Sequence, residues 1–121
     1  CIEVTANNVI LDCQGNTIYV NGTSGKLIYG FSTTNNFTLM NCNLINNKTH
    51  SESYGINLRL FSNVTIDNVN VTSNYYTLYL SQTSDYNISN SNFYGPNNVA
   101  VNLYYVDNIS ITNSNIFSTA V

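Results

Sequence analysis

One frame returns five times along this chain: Asn, apolar, Ser or Thr, apolar, and then Asn, a small residue, Asn and a further apolar residue. It reads NNVIL from Asn7, NFTLMNCNL from Asn36, NVTIDNVNV from Asn63, DYNISNSNF from Asp85 and NISITNSNI from Asn108. Counted from Asn8, Asn36, Asn63, Asp85 and Asn108, the intervals are 28, 27, 22 and 23 residues. Self-similarity at such a period is the mark of a repeat architecture, in which each unit buries its apolar face only by stacking on its neighbours.

Aligned by frame, the columns are chemically uniform. The residue after the first Asn is Val9, Phe37, Val64, Tyr86 or Ile109, and two further on stand Leu11, Leu39, Ile66, Ile88 and Ile111. The second half carries Asn41, Asn68, Asn90 and Asn113, then Asn43, Asn70, Asn92 and Asn115. A one-residue gap in the first repeat brings Cys13 level with Cys42. Upstream of the frames lie alternating segments, Gly55–Phe61, Thr77–Gln82 and Val99–Tyr105, with a weaker counterpart at Tyr29–Thr33. Alternation of period two places one set of side chains inward and the other outward. Each repeat thus holds three short strands separated by bends, with neither hairpin-turn signals nor helical periodicity. That describes one coil of a parallel β-helix, with equivalent residues of successive coils about 4.8 Å apart. Asn41, Asn68, Asn90 and Asn113 then form a ladder at the bend between second and third strands. Asn tolerates a left-handed backbone there, and its amide can bond the coils above and below.

Composition agrees. Hydrophobic residues make up 43% of the 121, enough for a core, while charged residues are only 7%, against about 25% in an average domain. The polar surface is Asn, Ser and Thr, which compete for backbone hydrogen bonds and disfavour helix interiors. The three cations, Lys26, Lys48 and Arg59, are scattered and the net charge is −3, which excludes a nucleic-acid interface built on a basic patch. No apolar run approaches the roughly 18 residues of a membrane-spanning helix. Cys1, Cys13 and Cys42 show no zinc-ligand spacing. One disulfide with a free thiol, or three buried thiols, both fit.

The opening NNVILDCQGNTI (Asn7–Ile18) and the NVTI and NISI frames resemble right-handed parallel β-helix proteins of the pectin-lyase-like superfamily, in particular surface and periplasmic repeats grouped with carbohydrate-binding proteins and sugar hydrolases. The resemblance covers essentially the whole chain. It implies an all-β, right-handed, single-stranded parallel β-helix of about five coils of three short strands, forming one domain over residues 1–121. It implies no activity, because such coils serve lyases, hydrolases, epimerases, adhesins and structural proteins. Calcium-dependent lyases of the superfamily cluster Asp on the outer face of the first strand. Here that face carries Asn57, Arg59, Tyr79, Ser81, Asn102 and Tyr104, so the lyase motif is not matched, no catalytic residue is assigned and no cofactor is implied.

Four features are candidates for function. Outward Tyr79 and Tyr104, with Asn57, Asn102 and Arg59, would form a platform on which sugar faces stack and amides donate hydrogen bonds. Seven N-x-[ST] sequons, at Asn21, Asn36, Asn47, Asn63, Asn70, Asn87 and Asn108, are candidate glycan acceptors in a secreted chain. The frame itself generates those at Asn36, Asn63 and Asn108. Asp85 and Asp107 read as a stacked carboxylate pair, a weak metal candidate beside the simpler reading of Asp replacing Asn at a turn. His50, with Lys48 and Glu52, sits in the longest loop, where a lone imidazole without a positioned partner more simply decorates solvent. No polar cap is visible at either end, and the expectation is an uncapped segment flanked by further coils of the same protein or a protomer that stacks end to end. The expected class is an extracellular or cell-surface, non-catalytic, N-glycosylated structural solenoid or filament; the alternatives are a carbohydrate-binding module and a fragment of a polysaccharide lyase or hydrolase.

Overall fold

The computed structural model describes residues 1–20, 25–48, 51–97 and 99–118. Among the described residues eleven strands, every pairing parallel, stack into three faces. The first face comprises β1 (Ile2–Glu3), β4 (Gly25–Gly30), β6 (Ser53–Arg59) and the leading halves of β8 (Tyr76–Ser89) and β10 (Val101–Thr112). The second comprises β2 (Val9–Asp12), the leading halves of β5 (Thr34–Asn46) and β7 (Phe61–Ser73), and the trailing halves of β8 and β10. The third comprises β3 (Thr17–Val20), the ends of β5 and β7, β9 (Asn92–Gly95) and β11 (Asn115–Ser118). The three expected strands per coil are present, but several run on through a bend as one continuous strand. In the second coil the first strand is Gly25–Gly30 rather than Tyr29–Thr33, because Tyr29 pairs with Asn57 and Gly30 with Leu58.

The columns read from sequence are the interior. Val9, Phe37, Val64, Tyr86 and Ile109 stand in register, as do Leu11, Leu39, Ile66, Ile88 and Ile111. In the middle coils these side chains are almost fully buried, together with Leu44, Val71 and Phe93 on the third face and Ile56, Leu58, Leu78 and Leu80 on the first. Burial of each such side chain contributes about 1.5–3 kcal/mol. Close packing also restricts the backbone. A Cβ placed on Gly55 would lie 2.3 Å from Val71 Cγ1 and 2.6 Å from the Thr77 carbonyl oxygen.

Of the three cysteines, Cys13 and Cys42 form a disulfide between the first and second coils, with Cα atoms 4.8 Å apart, and Cys1 is a free, exposed thiol. One coil interval is itself a comfortable span for this bond.

Three bends are left-handed in backbone. Asn8, Asn36, Asn63, Asp85 and Asn108 have φ between 53° and 64°, and Asn41, Asn68, Asn90 and Asn113 between 47° and 54°. The third series is Leu60, Gln82 and Tyr105, at 63°, 52° and 52°, an uncommon conformation for residues of this bulk. Inter-coil backbone bonds hold it, Leu60 N–H donating to Ser81 O at 3.1 Å and Thr34 N–H to Leu60 O at 3.2 Å.

The expected ladder at the second bend forms with one interruption. Asn68 Nδ2 donates to Asn41 Oδ1 at 2.9 Å and Asn113 to Asn90 at 2.5 Å. Between them, Asn90 donates instead to Asp67 Oδ1 at 2.8 Å, since a carboxylate is the stronger acceptor. The unbroken ladder lies two residues on, on the third face. Asn70 donates to Asn43 at 3.0 Å, Asn92 to Asn70 at 2.7 Å and Asn115 to Asn92 at 2.8 Å.

Candidate functional site: an aromatic groove on the first face

The outward residues of the first face form a grid whose rows are coils. Lys26, Tyr54 and Tyr76 make one column, Tyr29, Asn57, Tyr79 and Asn102 the next, and Arg59, Ser81 and Tyr104 the third. Strand alternation turns the second and third columns outward, the first column stands out of phase three residues before the second, and parallel register brings residues about 25 apart in sequence into contact.

The grid frames an open groove of about 370 Å³. Asn57 and Ser81, only 6% and 7% exposed, lie deep in it. Rings of Phe31, Tyr54, Tyr79 and Tyr104 form its walls, and Arg59 and Gln82 edge it. Tyr54 is the hub of an aromatic cluster, stacked on Tyr76 at 5.5 Å and edge-on to Tyr79 at 5.6 Å between centroids. Tyr75 closes the cluster, 4.5 Å from Tyr76. Edge-to-face and offset pairs of this kind contribute about 0.5–1.5 kcal/mol each beyond burial, so the wall is stiff. Burial raises the Tyr54 phenol, and the neighbouring Tyr76, Tyr79 and Tyr75 and the carboxylate of Glu52 raise it further, so it remains a neutral hydrogen-bond donor at physiological pH.

Two cations are positioned by this wall. Lys26 Nζ lies 5.2 Å from the Phe31 ring centroid, 5.9 Å from Tyr29 and 6.0 Å from Tyr54, within cation–π range of three rings. Arg59 Nε donates to Gln82 Oε1 at 3.0 Å, which fixes the guanidinium at the groove edge and leaves its remaining donors for a ligand. Gln82 lies in the left-handed stack and continues into a second, shallower hollow with Thr83, Ser84, Tyr105 and Asp107.

Tyr79, Tyr104, Asn57 and Arg59 line one groove, while Asn102 flanks it beside Tyr79. The second-face carboxylates do not stack on each other. Asp107 is level with Ser84, and Asp85 with Asn108, whose Nδ2 donates to it at 2.6 Å. Among the described residues no group of three His, Cys, Asp or Glu side chains could hold a metal ion. His50 and Asn21 lie outside the described residues, as does Thr49 of the Asn47 sequon. Sequence reading missed Phe31, Tyr54, Gln82 and the Lys26 cluster. Phe31 shares the outward phase of Tyr29 in the weak segment Tyr29–Thr33, whereas Tyr54, three residues before Asn57, and Gln82, in phase with the buried Leu78 and Leu80, fall on the inward phase of the alternation and carried no signal.

No curated protein and no solved structure matches the chain. The family model for a right-handed beta helix region matches residues 28–121. With that match over most of its length, and three parallel faces stacked in register, the chain belongs to the right-handed β-helix family.

Proposed function

We propose that this solenoid is a non-catalytic, extracellular surface module that binds glycans along its first face. The observation that carries the reading is the groove itself. Four aromatic rings present flat apolar faces, while a guanidinium and side-chain amides supply directed donors among them. Sugars offer the complement, a C–H face to stack and hydroxyls to bond, and few convergent polar groups in an aromatic site are the usual means of orienting such a ligand. Among the described residues none that lines the groove is a carboxylate, which favours binding over the acid–base pair of a glycosidase. The groove draws on coils two to five, so a glycan lying in it would cross the strands and span about three intervals of ~4.8 Å.

A glycan array probed with unmodified protein from a bacterial host tests this. The chain should retain a defined set of oligosaccharides, and Tyr79→Ala should weaken binding by about 30-fold, as expected for loss of a central aromatic contact. Arg59→Ala should narrow or abolish selectivity at the groove edge. If the wild-type chain retains no glycan, or Tyr79→Ala binds as well as wild type, the groove reading fails. A purely structural stack or an end-to-end filament, which the low charge would permit, predicts that outcome.

A further inference from the structure

The seven sequons are equivalent in sequence but not in the fold. Three of them are built into the inter-coil ladders. Asn36 Nδ2 donates to Asn8 Oδ1 at 2.9 Å, Asn70 to Asn43 at 3.0 Å and Asn108 to Asp85 at 2.6 Å. Asn63 and Asn87 differ. All five are exposed, but among the described residues no side-chain hydrogen bond engages the amide of Asn63 or Asn87. Asn87 points outward from the middle of a second-face strand, level with Thr65 and Ser110 in the adjacent coils. Both neighbours are small, so the space above Asn87 is open. We propose that Asn87 and Asn63 are N-glycosylation sites of this chain and that Asn36, Asn70 and Asn108 stay bare in the folded protein. The inference rests on the extracellular reading above.

The chemistry decides between the two sets. An oligosaccharide passes from a lipid-linked pyrophosphate donor to Asn Nδ2. The anomeric C–O bond to phosphate breaks, a C–N bond forms, the amide gives up one proton and the lipid pyrophosphate leaves. The product amide keeps a single N–H and carries a pyranose ring on the same nitrogen. At a ladder position that nitrogen faces a neighbour about one 4.8 Å coil interval away, with no room for the ring. The N–H that remains can still reach the neighbour, but the ring beside it is then packed against the adjacent coil, so a chain modified there closes that coil less well. At Asn87 the ring projects into solvent and no bond is lost. Asn63 is a bend residue whose backbone is left-handed at φ 54°, but its amide is likewise free to carry the sugar outward. Both sites lie on the second face, so glycans there leave the first-face groove open.

Secretion of the chain from a eukaryotic host, followed by enzymatic deglycosylation in ¹⁸O-labelled water and peptide mapping, marks every occupied Asn as ¹⁸O-Asp. The expected result is label at Asn87 and Asn63, with occupancy of Asn36, Asn70 and Asn108 at least tenfold lower in folded, secreted material. Asn87→Gln should remove one glycan mass and leave the melting temperature unchanged. Asn70→Gln should remove no glycan mass and lower the melting temperature. Comparable occupancy of the ladder sequons, or a bare Asn87, overturns the proposal. The host delivers the chain to a glycosylating compartment whatever its natural destination, so this result concerns the sites alone. Glycan binding by unmodified bacterial material tests the groove separately.

Discussion

Reduction of the Cys13–Cys42 disulfide should be among the most costly single chemical changes to this fold. The bond closes a loop of 29 residues between coils one and two. The chain-entropy relation for a loop of that length gives about 12 cal/mol/K lost from the unfolded ensemble, or roughly 3.6 kcal/mol at 25 °C. That is a large share of the ~5–15 kcal/mol that holds a typical domain together. At about 2.1 cal/mol/K per residue, unfolding of 121 residues carries an entropy near 250 cal/mol/K, so the melting temperature should fall by about 14 °C. Thermal unfolding followed by far-ultraviolet circular dichroism, with and without a phosphine reductant, reads this directly. A Cys13→Ala/Cys42→Ala variant should reproduce the shift without reductant and show none on adding it. Hydrogen exchange should show β2 losing protection first, since the bond ties the first coil to the second. A shift of less than about 3 °C on verified reduction would refute the reasoning. It would mean that parallel pairing of β2 on β5 already restricts the chain as much as the bond does.

Three further outcomes follow from the packing and the ladders. Gly55→Ala should destabilise by about 1–3 kcal/mol, because the new methyl meets a backbone carbonyl that cannot yield, while Gly25→Ala, with its nearest atom 3.6 Å away, should be close to neutral in denaturant titration. Asn68→Ala loses both a ladder bond and a residue tolerant of left-handed backbone, and should cost about 1–3 kcal/mol; Asn68→Gly keeps the backbone freedom and should cost less, and equal losses would show that the bend is unstrained. Asp12 is held below the ordinary carboxylate range by the Asn41 amide and then the Gln14 N–H, and Asp67 by the Asn90 amide and then the Ser89 hydroxyl. A folded-state value below the unfolded one gives stability that is present above about pH 4 and lost as pH falls through the lowered values, so the melting temperature should be level near neutrality and decline in acid, and Asp67→Asn should flatten that decline.

The fold was readable because every interior column is a local fact repeated at a fixed interval. Val9, Phe37, Val64, Tyr86 and Ile109 could be aligned without knowing any distance, and parallel register then stacks them. The site was less readable because it depends on neighbours in other coils. Lys26 meets Tyr54 only through the pairing of β4 with β6, and that register was displaced in the weak second repeat. The bend at Leu60, Gln82 and Tyr105 carried no Gly or Asn to announce it, because backbone bonds between coils rather than residue preference impose its conformation. Asp85 and Asp107 drew attention as like residues, although the frame itself aligned Asp85 with Asn108.

The side-chain ladders have a direction. Asn36, Asn68, Asn70, Asn92, Asn108, Asn113 and Asn115 each donate toward the coil that precedes them in sequence. Amide dipoles aligned head to tail add, as peptide dipoles do along an α-helix. Backbone bonds of a sheet contribute little net dipole, so in this protein the asparagines supply an axial field of their own. The early coils carry its positive pole, and the acceptor oxygens of Asn108, Asn113 and Asn115 carry its negative pole. The solenoid is therefore polar along its axis even where its net charge is small, and a coil joining beyond Asn115 must arrive with donors facing it.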